Sequence, residues 1–156
     1  MDERGHGQAI VMSSDQHQFI NAMGDILATW HLSRSTGRVY GYLLLREEAS
    51  SSEQLREALS LSSGAVSAAV RELVSWGLAR TLPQPGSRRL LIEAAGGFEQ
   101  LLAASHERTR TFIRTLEAAE RVSDGPSAAA RLRDVTNLFT TYVDAAEHAL
   151  RARRQT

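Results

Sequence analysis

The chain has 156 residues, 42% of them hydrophobic, with 18 basic and 18 acidic residues and a formal net charge of +0. That length suits one ordinary domain and that composition a globular one, so a disordered chain is excluded. No apolar run reaches the roughly 20 residues that span a bilayer. The absence of Cys excludes disulfides, thiol redox chemistry and Cys-based zinc sites, and it fits a cytoplasmic protein.

Residues 1–14 are Gly- and Ser-containing and aperiodic, which predicts a disordered arm. Their early acidic residues and lack of a long apolar core do not make a secretory signal. From Asp15 to Leu32, Phe19, Ile20, Met23, Ile26, Leu27 and Trp30 recur at helical spacing, and Gly24 weakens that helix without ending it. A second helix follows, with Val39, Tyr42, Leu43 and Leu45 on one side. Gly41 in its middle predicts the close approach of a neighbouring backbone.

Ser51 and Gln54 have capping-box spacing, which starts a third helix at Ser52 or Glu53 with Leu55, Ala58 and Leu59 on its buried face. A fourth helix starts after its N-cap Ser62 and ends at Gly77, with Val66, Val70, Leu73 and Val74 directed to the core. Leu78–Leu82 reads as a strand, Pro83–Ser87 as a turn-rich loop, and Arg88–Glu93 as the returning strand. Gly96 and Gly97 break the chain.

A fifth helix spans Phe98–Arg121, with Phe98, Leu101, Leu102, Ser105, Phe112, Ile113 and Leu116 on one stripe. SerAspGlyPro at 123–126 stops it and starts a sixth, expected over Ser127–Ala152. There Ala128, Leu132, Val135, Phe139, Tyr142, Ala146 and Ala149 alternate in steps of four and three, a coiled-coil-like seam. Such a helix is about 39 Å long, more than a small domain needs to cover itself.

Short helix, turn, helix, then two strands joined by an Arg-tipped loop is the order of a winged helix-turn-helix. The fold class is thus mainly α, with a small two-stranded β-wing and long helices outside it. The exposed second helix of such a motif fits a DNA major groove. The core stripe of the fourth helix leaves Ser63, Gly64, Ser67, Ala68 and Arg71 facing outward. All but Arg71 are short, so the helix can approach a groove floor closely. Ser62 and Ser63 place free N–H groups near a phosphate position, and Arg71 reaches a guanine edge or a phosphate. Arg88 and Arg89 charge the edge of the wing, where Arg side chains enter a minor groove or clamp its phosphates. Neighbouring strand residues point to opposite faces, so one of the two reaches DNA and the other pairs with an acid within the protein. Every basic residue is Arg, and from Ser62 to Ile92 Arg71, Arg80, Arg88 and Arg89 stand against Glu72 alone. Double-stranded DNA is the expected partner.

The run GRVYGYLLL, then LxxALSLSxGAVSxAVRELVSWGLAR, then PGSRR, over residues 37–92, resembles the MarR family of bacterial transcription regulators. WGL after the recognition helix and the PGxRR wing resemble the branch that includes the glycine-betaine-pathway regulators. The resemblance implies a homodimer on a pseudo-palindromic operator. It implies a helix of the dimerisation region at 15–34, a winged DNA-binding lobe at 35–95 and a C-terminal helical dimerisation region at 96–154. It also implies that small molecules release many members from DNA. Trp30, His31, Tyr40 and Tyr42 are the candidate effector contacts, with Phe112 and Tyr142 nearby. The family often carries Asp before the wing Arg pair, where an ion pair orients the Arg; here Ser87 stands in that place.

None of the five His residues forms an HExxH motif, and no Gly-rich phosphate loop or strand-borne GxSxG occurs. The expectation is a non-enzyme without cofactor or metal. The rival reading is a winged helix that binds protein and no operator.

Overall fold

A computed structural model describes residues 11–155. In chain order the elements are α1 (Ser14–Ala28), α2 (Arg34–Leu44), β1 (Ser50–Ser51), α3 (Ser52–Leu59), α4 (Ser63–Ser75), β2 (Ala79–Pro83), β3 (Leu90–Ala94), α5 (Phe98–Arg121) and α6 (Pro126–Arg154). They form two compact units that divide at Gly97. The arm expected over 1–14 lies, through residue 10, outside the described residues. Of the rest, Ser13 caps α1 in a reciprocal capping box with Gln16, so the helix starts one residue before Asp15. It also ends earlier than its periodicity suggests: Thr29 is the C-cap, and His31 takes a left-handed φ of 69°.

In the first unit α2 is the central element, with α1, α3, α4 and β3 packed on it. Val39, Tyr42 and Leu43 of α2 meet Ile20 and Leu27 of α1, Leu55 and Leu59 of α3, and Val66 and Leu73 of α4 in one buried core. Burying such a side chain contributes roughly 1.5–3 kcal/mol. Arg38 ties three elements: its Nε donates to Asn21 Oδ1 on α1 at 3.2 Å, and its Nη1 donates to the Leu59 carbonyl closing α3 at 3.1 Å. Burial, and then the nearby Arg34, push its pKa below the usual guanidinium range.

The sheet has three antiparallel strands in the order β1-β3-β2, one more than expected. The added strand is only Ser50 and Ser51, opposite Ile92 and Leu91. Two serines carry no alternation of apolar and polar residues, so nothing local marks them as strand. The β2–β3 register runs from Ala79↔Ala94 to Pro83↔Leu90.

The second unit is an antiparallel pair, α5 and α6. Leu101, Ile113 and Val143 are buried, and the Phe112 and Phe139 rings meet edge to face at 5.1 Å. Arg110 Nη2 donates to Asp144 at 2.7 Å and to Glu147 at 2.8 Å, Arg133 pairs with Glu120 at 2.6 Å, and Arg153 pairs with Glu99 at 3.2 Å. The expected α6 seam splits into two faces. Thr136, Phe139 and Val143 face inward, while Val135, Leu138 (67% exposed) and Tyr142 (64% exposed) face out. Thr136 is tolerated inside because its hydroxyl donates to the Leu132 carbonyl of its own helix at 2.8 Å. His106, expected to be solvated or at an interface, is instead buried in this pair, at 8% exposure.

No helix among the described residues is long and apolar enough to cross a membrane. No group of three or more His, Asp or Glu side chains among them is placed to hold a metal ion.

Candidate nucleic-acid interface

The helix-turn-helix is built by local chemistry. Ser51 Oγ accepts the Gln54 N–H at 3.1 Å while the Ser51 N–H donates to Gln54 Oε1 at 2.8 Å, which starts α3 as its spacing predicts. Ser60, in the left-handed region at φ 53°, ends it. Ser62 Oγ then accepts the Ala65 N–H at 3.1 Å and opens α4.

Gly77 closes α4 with φ 73°. Its N–H donates to the Val74 carbonyl at 3.0 Å and the Leu78 N–H to the Leu73 carbonyl at 2.8 Å, the paired bonds of a Schellman end. A left-handed residue there turns the chain straight into β2. At the other end of this packing, Glu72 Oε1 accepts the N–H of Ser33, the N-cap of α2, at 3.3 Å, so α4 is fastened to the central helix.

The face of α4 opposite the core matches the sequence reading. Ser62, Ser63, Gly64, Ser67, Ala68 and Arg71 are all exposed. A β-carbon at position 64 would have no neighbour within 4 Å, so the missing side chain serves no packing inside this chain. The inward face is corrected. Val66, Ala69 and Leu73 are buried, whereas Val70 is only partly buried and Val74 is 43% exposed. α4 packs on α2, α3 and β2, and Val70 and Val74 fall on the flank that these neighbours leave uncovered. There they line an open groove of about 560 Å³ with Ser67 and Arg71 of α4 and Thr81, Leu90 and Ile92 of the wing strands.

The wing tip is a turn over Gln84–Ser87, closed by the Ser87 N–H donating to the Gln84 carbonyl at 3.1 Å, with Gly86 at φ 74°. Pro at the second position and a positive-φ Gly at the third fit a type II turn. Ser87 Oγ accepts the backbone N–H of Arg89 at 3.1 Å. Ser87 thus shapes the hairpin, but it cannot pair with a guanidinium as Asp would.

The four Arg residues of the motif divide into two pairs. Arg80 pairs with Glu93, its register partner across β2 and β3. Arg89 Nη1 lies 3.2 Å from Glu53 Oε2, in the first turn of α3. Among the described residues, Arg71 and Arg88 have no carboxylate partner. The expectation that one wing Arg pairs internally is met, with Arg89 as that residue. Its partner, 36 residues away in sequence, was not legible.

The candidate effector residues differ in their surroundings. Tyr40 and Tyr42 are both in the core of the first unit, and Tyr42, at 1% exposure, has the Arg46 guanidinium 4.8 Å from its ring centroid. Burial pushes the Tyr40 hydroxyl pKa upward. Two residues apart on a helix with neighbours on every side, both rings are absorbed by packing. Trp30 and His31 lie in the turn after α1, Trp30 half-buried and His31 exposed.

A three-helix core with an exposed, small-residue second helix and an Arg-bearing hairpin defines the winged helix-turn-helix class. The chain is 30% identical over 142 residues to the HTH-type transcriptional regulator MmpR5 of Mycobacterium tuberculosis, covering 87% of this chain and 85% of that one. A crystal structure of a transcriptional regulator superposes with a TM-score of 0.62 at 27% identity, over 91% of this chain and 99% of the other. A MarR mutant from E. coli, solved with operator DNA, matches at 20% identity and a TM-score of 0.41 over 60% of this chain and 64% of that one. No family model matches the chain. The chain belongs to the MarR family of transcription regulators.

Proposed function

We propose that this protein is a cytoplasmic, homodimeric transcription regulator that binds double-stranded DNA, with α4 in the major groove and the wing on the adjacent backbone. The observation that carries this is the division of the Arg residues. Arg80 and Arg89 are paired within the fold, while Arg71, on the α4 face of short side chains, and Arg88, on the wing, have no described carboxylate partner. MmpR5, at 30% identity, is a transcriptional regulator by name, which supports the same reading. WGL at 76–78 and PGxRR at 85–89 support placement in the branch of the glycine-betaine-pathway regulators.

The second copy covers the outward apolar row of α6, formed by Val135, Leu138 and Tyr142 at helical spacing. Two copies then present two α4 helices to half-sites about one helical turn, roughly 34–36 Å, apart. Of the four candidate effector residues, His31 is exposed in the turn after α1, and a small molecule bound beside it would act by shifting the population of DNA-competent dimers.

The test is fluorescence anisotropy on the DNA upstream of the protein's own gene, alongside light scattering. Saturable, salt-sensitive binding and a dimer mass are expected, and Leu138→Asp should shift the mass to that of a monomer. Binding no tighter than to random DNA at low salt would favour the protein-interaction reading.

A further inference from the structure

The wing offers two adjacent guanidinium groups, and one is already occupied. β1 pairs with β3 through Ser50↔Ile92 and Ser51↔Leu91. Just past the end of that pairing, Glu53 in the first turn of α3 and Arg89, the residue before β3, bring their side chains together at 3.2 Å. Both side chains are largely exposed, so the pair is weak in water and easily exchanged. Around it, Ser51, Ser52, Glu53, Arg88, Arg89 and Leu90 line an open groove of about 430 Å³ between the first turn of α3 and the wing. A backbone phosphate entering this groove meets Arg88 and the serines. It finds Arg89 held by a carboxylate that also repels it.

We propose that Glu53 is an intramolecular competitor of DNA phosphate for Arg89, an autoinhibitory contact that holds down binding to DNA of any sequence. The proposal rests on the DNA-binding reading above and adds a residue that sets its strength. Glu53 occupies the role of partner to a wing Arg from another element, because Ser87 supplies no charge within the wing. The Glu53 carboxylate takes the Nη1 contact of Arg89 and sets a like charge beside any phosphate that approaches the same guanidinium, so the two compete for it.

The test compares the unsubstituted protein with Glu53→Gln, Arg89→Gln and the double variant, each titrated by anisotropy on a random-sequence duplex over a salt series. Both residues are exposed and both replacements are polar, and circular dichroism checks that the fold is kept. Glu53→Gln should bind roughly three- to tenfold more tightly, with a slope of log K against log salt steeper by about 0.9, the value of one added phosphate contact. In the Arg89→Gln background the same substitution should leave the slope unchanged. Two results overturn the proposal: affinity equal to or below wild type in Glu53→Gln, which would make the pair an orienting contact, or the same steepening without Arg89. Wild-type protein that binds no duplex at low salt would instead overturn the DNA-binding reading, and this inference with it.

Discussion

Gly37 meets Gly24 backbone to backbone: a β-carbon at position 37 would lie 2.7 Å from the Gly24 Cα and 2.6 Å from the Met23 carbonyl oxygen. These are main-chain atoms, which cannot swing aside as the end of a side chain can. Gly37→Ala must therefore separate α1 from α2. Overpacking of this kind costs about 1–3 kcal/mol, set against a helix-propensity gain of at most about 1 kcal/mol. Net destabilisation is expected, read as a thermal midpoint lowered by about 2–4 °C per kcal/mol. An unchanged or higher midpoint would show that the helix pair is not so tightly seated.

Gly64→Ala should behave in the opposite way. Its β-carbon has open space on every side and the site is helical, so stability should hold or rise by up to about 1 kcal/mol. The added methyl lies on the outward face of α4, so DNA affinity should fall while the thermal midpoint does not. Affinity equal to wild type would place the groove floor away from this residue.

Arg88→Ala should weaken binding to every duplex and flatten the salt slope by about 0.9, since a wing guanidinium on a phosphate carries no base information. Arg71→Ala should instead cost about 1–3 kcal/mol of discrimination between operator and random DNA. Competition titrations with both duplexes separate the two. Equal loss on both for Arg71→Ala would assign it a phosphate.

In the α5–α6 pair, hydrogen bonds from Arg110, reinforced by charge attraction, hold the Glu147 carboxyl below its ordinary pKa against an opposing effect of desolvation. The same contacts push the Arg110 guanidinium upward. A depressed carboxylate contributes stability that is fully present above the unfolded-state pKa, near 4.5. That contribution is lost as pH falls through the lower folded-state value. Glu147→Gln should therefore unfold at a lower temperature than wild type at neutral pH, and the gap should close as acidification protonates the folded-state carboxyl. A gap that stays constant with pH would show that the side chain acts by packing alone.

Helix starts and stops were legible wherever a residue acts on neighbours three or four positions away. Ser51 with Gln54, Ser62, Gly77 and the Pro at 126 all do what their spacing implies. Ser13 with Gln16 follows the same rule and was hidden only because the preceding stretch reads as aperiodic. The outward residues of α4 were legible too, since small polar residues opposite an apolar stripe have few alternatives.

Width and partnership were not legible. Periodicity put Val74 and Val70 with the core, and Tyr142 and Val135 on one seam with Phe139, because an apolar stripe marks a helix face without saying how much of it a neighbour covers. Tyr40 and Tyr42 looked like ligand contacts from their chemistry and are core from their surroundings.

The sequence by itself therefore determined the helices and the two wing strands, their order and the face α4 turns outward, because those follow from contacts within one or two helical turns. Tertiary structure alone decided that Glu53 meets Arg89, since that pair exists only once two serines join β3 and bring the first turn of α3 beside the wing. That contact leaves Arg88 as the wing guanidinium without a described carboxylate partner, a choice between neighbours that no local pattern encodes.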